Sequence, residues 1–197
     1  MSVPYQYLQI FSNIEEEIIE LSYKITFDED QKRTYSTYIG ELELRIFTLM
    51  ESVIKFRTPE MSQNEKYEER FKKLYSSKTQ LPNIYVVLNS YNLNKKEYTD
   101  ILNKDQDRIT GVVDGELQRI SKKNEKYNNA YQNLRHSFIN SLPVFGTVEY
   151  LFEALAVLYL ALDTPGLSHI FAVYYLDKDG KKWIWIPSNV SKRQSIE

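Results

Sequence analysis

Arg135, His136 and Asn140 are the residues whose types and spacing could do chemistry. Arg135 carries a guanidinium that stays charged at any physiological pH. His136 brings an imidazole that titrates near neutrality, and Asn140 a carboxamide able to donate and to accept. On a continuous helix His136 and Asn140, at i and i+4, stack on one face with Arg135 beside them. Together these groups suit metal-independent attack on a phosphodiester by a ribose 2′-hydroxyl. His136 would act as general base or acid and Arg135 would stabilise charge on the transferring phosphate. DNA has no 2′-hydroxyl, so such a site is selective for RNA. The plainer reading of the same residues is that Arg135 pairs with a glutamate and His136 is simply solvated.

Few other residues compete for a chemical role. The chain has no cysteine, which excludes disulfides, thiolate metal sites and a cysteine nucleophile. It holds no Gly-rich phosphate loop, no GxSxG and no HExxH, so neither a cofactor nor a metal is expected. Asp177, Asp179 and Gly180 imitate part of a calcium loop, but their flanks are strand-like and a turn fits them better. Tyr174, Tyr175, Trp183 and Trp185 could stack bases, although packing is the commoner use of such aromatics.

The elements that would position the site are mostly helical. Tyr7, Phe11, Ile14, Ile18, Leu21 and Ile25 step by four and three, with Glu15, Glu16, Glu17 and Glu20 on the polar side. A second helix is expected over 31–56 and closes at Thr58-Pro59, so that the first unit is a helical hairpin. A short charged helix follows over 64–78. The stretch 83–93 fits a strand or a helix, and its helical surroundings favour the helix. From Val112 to Leu142 the apolar spacing and the absence of proline point to one long helix, with Asp114-Gly115 interrupting or merely weakening it. Tyr127, Tyr131, Leu134, Phe138 and Leu142 form its inward stripe, leaving Arg135, His136 and Asn140 on another face.

After the Pro143–Gly146 corner, residues 144–162 contain only Glu149 and Glu153 as charges and read as a buried helix. Those two glutamates argue against a membrane span. Beyond it, β-branched and aromatic runs on either side of Asp177-Lys-Asp-Gly180 predict a β-hairpin over 168–188, an appendage with a frayed tail over 189–197. The expected architecture is therefore a mainly all-α protein, an antiparallel helical bundle with a small C-terminal β-hairpin, forming a single domain over 1–197.

Composition is that of an ordinary globular chain, with 42% hydrophobic and 26% charged residues, which argues against disorder. A net charge of only −2 supplies no general positive field for nucleic acid, so any RNA contact must be local. The N-terminus lacks a basic leader and apolar run, and a cytoplasmic location is expected.

The order of parts, with Leu134-Arg135-His136-Ser-Phe-Ile-Asn140 ahead of a hydrophobic helix, resembles the HEPN superfamily of helical proteins. Many HEPN members are ribonucleases of toxin–antitoxin, CRISPR and phage-defence systems, acting as dimers that bring two motifs together. Their signature is Arg, a polar residue, and His five to seven positions after the Arg. Here that window holds Asn140, Ser141 and Leu142, and the histidine stands at 136, as though the two polar residues had exchanged places. The resemblance implies a homodimer through the face carrying Arg135, His136 and Asn140, with RNA or a protein as further partner and no membrane. The implied function is an RNA-directed protein of bacterial defence or toxin type, in one form a metal-independent endoribonuclease. The alternatives are a catalytically silent dimeric interaction module and a small-molecule-binding helical domain.

Overall fold

A computed structural model describes residues 3–62, 64–76, 83–86, 97–98, 102, 104, 106–164, 167–176 and 182–185. The described residues are mostly helical, with antiparallel strands in two small sheets. In chain order the elements are α1 (Tyr5–Ser22), α2 (Thr37–Arg57), α3 (Tyr67–Ser76), β1 (Asn83–Val86), β2 (Glu97–Tyr98), β3 (Gln106–Val113), β4 (Glu116–Asn124), α4 (Lys126–His136), α5 (Phe138–Phe145), α6 (Val148–Leu162), β5 (Phe171–Leu176) and β6 (Lys182–Trp185).

The apolar stripes expected of the first two helices bury over most of their length, although Tyr35 and Tyr38, which also fit the second stripe, stay exposed. Phe11, Ile14, Ile18 and Leu21 of α1 meet Ile39, Leu42, Ile46, Met50 and Val53 of α2 in one core. One member of α1 departs from expectation: Glu15, placed on the polar side by its neighbours, is completely buried. α2 starts at Thr37, later than expected, because the Ser36 hydroxyl accepts the Ile39 N–H (3.1 Å) and caps the helix there. Thr58 ends it, as anticipated. α6 is buried along almost its whole length, packs chiefly on α2, and is capped at Thr147. No helix among the described residues is long and apolar enough to cross a membrane.

Four expectations are overturned. The helix over 112–142 does not exist as one element: its first part is a β-hairpin, β3–β4, turning at Asp114 and Gly115, both at positive φ (51° and 81°). Asp-Gly supplies the left-handed conformations that a two-residue hairpin turn needs, and β-branched Ile109, Thr110, Val112 and Val113 make the preceding strand. The remaining helical part breaks again at Ser137, whose backbone (φ −150°, ψ 65°) separates α4 from α5.

The third correction concerns 83–93. Asn83–Val86 is a strand, β1, and the rest of that stretch lies outside the described residues. β1 pairs antiparallel with β2 on one side and β5 on the other, giving the order β2-β1-β5-β6. The C-terminal hairpin is therefore no appendage, since β5 is an inner strand of a four-stranded sheet, paired to β1 from Asn83↔Tyr174 to Val86↔Phe171. Its turn, the tail over 189–197 and the calcium-like Asp177-to-Gly180 segment lie outside the described residues.

α5 closes tightly on α2. A Cβ at Gly40 would lie 2.6 Å from Leu142 Cδ1 and 3.0 Å from the Phe138 ring, and one at Gly146 would lie 2.5 Å from the same Leu142 methyl. The Leu142 side chain is thus held between two glycines, and that contact fixes where α5 lies.

Candidate functional site

The break at Ser137 decides the geometry of the expected site. His136 is the last residue of α4 and Asn140 stands in the first turn of α5. The i, i+4 stacking that would bring imidazole and carboxamide together on one helix face is therefore absent. Arg135, His136 and Asn140 are all exposed, as expected. Arg135 is engaged: it donates from Nη1 to the Tyr131 hydroxyl (3.1 Å), lies over the Tyr131 ring, and stands 3.9 Å from Glu51 Oε1. Tyr131 in turn donates to Glu51 Oε1 (2.7 Å). Burial, then the Glu51 carboxylate, pushes the Tyr131 phenol up to about 12, so it keeps its proton. Arg135 also sits in the last turn of α4, where a cation suits the helix C-terminus. The plainer reading, an arginine paired with a glutamate, describes its contacts.

α4 is held to the rest of the protein by an amide network. Asn129 Oδ1 accepts from the Ile109 N–H (3.1 Å) and from Asn124 Nδ2 (2.8 Å), while its Nδ2 donates to the Asp107 carbonyl (3.0 Å). Asn133 donates to the Ile109 carbonyl (3.0 Å), and Asn128 to Asn124 Oδ1 (3.0 Å). Asn129 and Asn133 satisfy the backbone of β3 where it abuts the helix, as buried polar groups require. Their density in the sequence belongs to docking, not to catalysis.

Two charged clusters were not recognised in the sequence. In the first, Lys126 Nζ contacts Glu149 Oε1 (2.5 Å) and Glu153 Oε2 (3.0 Å) and lies 5.0 Å from the Tyr150 ring centroid. Burial alone would lower the Lys126 pKa, and the two glutamates more than offset it, so the ammonium is held above its usual range. Behind them Glu43, completely buried on α2, is pushed well above the carboxylate range, first by burial and then by the Glu153 charge. The Thr147 N–H moderates that shift, but neither Glu43 oxygen makes a well-formed hydrogen bond among the described residues. Tyr150, half-buried beside Lys126, is raised to about 12, first by burial. The carboxylates do not converge as metal ligands among the described residues.

The second cluster joins α1 to the larger sheet. The Glu15 carboxyl accepts from the Ser168 hydroxyl, from the His169 N–H (3.1 Å) and from the Ile170 N–H (3.3 Å). Ser168 Oγ itself accepts from the N–H groups of Ile170 (3.1 Å) and Phe171 (2.8 Å). Burial raises Glu15 to about 7 against the three hydrogen bonds, which favour its charged form. The available signal was that Glu15, unlike Glu16 and Glu17, stands four residues after Phe11 and three before Ile18 on the apolar face, and its partner lies 153 residues away.

One groove, of about 360 Å³, runs between α1 and α2 over Tyr7, Ile10, Leu44 and Leu49. Its polar rim is already occupied: Thr48 and Ser52 donate to the carbonyls of Leu44 and Thr48, and Arg45 forms a two-bond pair with Glu17 (2.7 Å each). A specific small-molecule site needs polar groups left to orient its ligand, and this groove shows little of that kind. Compared with protein-family models, with curated proteins and with solved structures, the chain matches none.

Proposed function

We propose that the chain is a HEPN-like, catalytically silent interaction module that works as a cytoplasmic homodimer, with its helices forming the antiparallel bundle that the resemblance implies. The observation that carries this reading is the break at Ser137, which separates His136 from Asn140. Exchange of the two polar residues could preserve the chemistry only if both stayed on one continuous helix face, and displacement of a catalytic group by a turn is enough to abolish catalysis. The Arg135–Tyr131–Glu51 contacts give the arginine a role without substrate. Surface contact suits the neighbourhood better: Ile139 is 74% exposed on α5 next to Asn140, and Pro143 beyond it is exposed too.

The competing reading is the metal-independent endoribonuclease of defence or toxin type. Incubating the purified protein with RNA in excess chelator, beside Arg135→Ala and His136→Ala variants, separates the two. Intact RNA in all three samples is expected. Cleavage by the parent chain that disappears in both variants would overturn the proposal. Light scattering on the eluting protein should give the mass of two chains, and a monomer at every concentration would remove the dimer.

A further inference from the structure

Among the described residues the β3–β4 hairpin has an open edge, whose geometry can be worked out from its turn. With Asp114 and Gly115 both at positive φ the turn is type I′, so Val113 and Glu116 form the hydrogen-bonded pair that closes it. Backbone groups then alternate along an antiparallel strand. Glu116 and Gln118 turn theirs towards β3, and Leu117 and Arg119 turn theirs away. The Gln118 carbonyl accepts from Thr110 Oγ1 (3.2 Å) on the β3 side, as that alternation requires. β4 has no further strand beside it among the described residues, and Leu117 and Asn124 are its only side chains that are not exposed. Ribbons of two strands are marginal alone, and this one leaves Val113 and Ile120 55% and 44% exposed.

We propose that β4 pairs antiparallel with β4 of a second copy of this chain, about a twofold axis at Gln118, to make a four-stranded sheet across a dimer. The inference rests on the reading of the chain as a dimerising module and moves its interface from the expected Arg135, His136 and Asn140 face to this edge. Only outward-facing residues can bond across the axis, which sets Leu117 of one copy against Arg119 of the other. Charge agrees with the antiparallel sense. The hairpin tip is acidic at Asp114 and Glu116 and its stem is basic at Arg119 and Lys122, with Lys123 already bridged to Asp107, so each tip lies along the other copy's stem. Glu116 falls opposite Ile120 and diagonal to Lys122 of the second copy. The register shift between Asp107 and Arg108 leaves Ser121 and Lys122 unpaired in β4. It ends the regular run at Ile120, and of the outward-to-outward registers the one centred on Gln118 stays within 116–120 and clears the turn.

The absence of cysteine makes the test direct, because Gln118→Cys introduces a single thiol. At a non-hydrogen-bonded antiparallel pair on the axis, the two Cα atoms approach to about 4.5 Å, inside the range a disulfide spans. Under mild oxidation of the full chain, Gln118→Cys should form a covalent dimer roughly tenfold faster than Glu116→Cys or Lys123→Cys, whose copies are not opposite themselves. Arg119→Pro removes an outward N–H and no bond to β3, and should elute as a monomer with an unchanged circular dichroism spectrum. A dimer that survives Arg119→Pro and cross-links no faster at 118 than at 116 would overturn the β4 pairing while leaving a dimeric module. A parent chain that is monomeric at every concentration would overturn both.

Discussion

Stability should fall as pH rises from 5 to 8, and a substitution at Glu15 should remove a defined share of that fall. In the unfolded chain its carboxyl titrates at 4.5, and in the folded protein burial raises it to about 7. Between those values the folded state holds a proton that the unfolded state has released. The stabilisation is therefore fully present below 4.5 and is lost as pH climbs through 7. Each pH unit of that window corresponds to ~1.4 kcal/mol, so the whole loss is about 3 kcal/mol as an upper figure. Glu43 has the same sign, which makes the comparison with Glu15→Gln essential. Glutamine cannot ionise, and its amide meets the His169 N–H donor to donor, which adds a cost that does not vary with pH. Urea unfolding at pH 5, 6, 7 and 8 should show the parent chain losing up to about 3 kcal/mol more than Glu15→Gln across the series. Parallel curves for the two proteins would refute the reasoning.

Two further outcomes follow from packing and burial. Gly40→Ala gains about 1 kcal/mol of helix propensity yet should lower the melting temperature, because its Cβ meets Leu142 Cδ1 at 2.6 Å between two facing helices and overpacking typically costs about 1–3 kcal/mol. Glu43→Leu should raise the melting temperature, by about 1–2 kcal/mol of stability, since it replaces a buried carboxyl without well-formed hydrogen bonds by an apolar group of similar size. A clear loss of stability in that variant would mean that Glu43 has an essential partner.

The residues show why some of the structure was readable in the sequence and some was not. α1, α2 and α6 carry apolar stripes or runs that identify a helix without knowledge of its neighbours, and Thr58-Pro59 marks a stop. The β3–β4 hairpin was written locally too, in Asp114-Gly115, but Ile109, Val112 or Val113, Leu117 and Ile120, at three- to four-residue intervals, imitate a helix when the turn is discounted. β1 carried a local signal that fitted a strand and a helix alike. Its partner β5 begins at Phe171, and four residues cannot declare their period alone. At the candidate site the residue types and their exposure were legible, but the break at Ser137 was not. It accompanies the packing of Phe138 and Leu142 against Gly40 of α2, a contact that the sequence of α4 and α5 alone does not show.

The pairing of β1 with β5 also orders events during synthesis. A nascent chain that has not yet produced Phe171 holds a finished set of helical stripes, but β1 has only β2 to pair with, and Glu15 lacks the Ser168, His169 and Ile170 donors that it accepts from in the finished fold. Loop closure over so many residues is slow relative to helix formation. The first helix made therefore gains the donors for its buried carboxyl only once some of the last residues have been synthesised, and until then β1 can pair on one side alone.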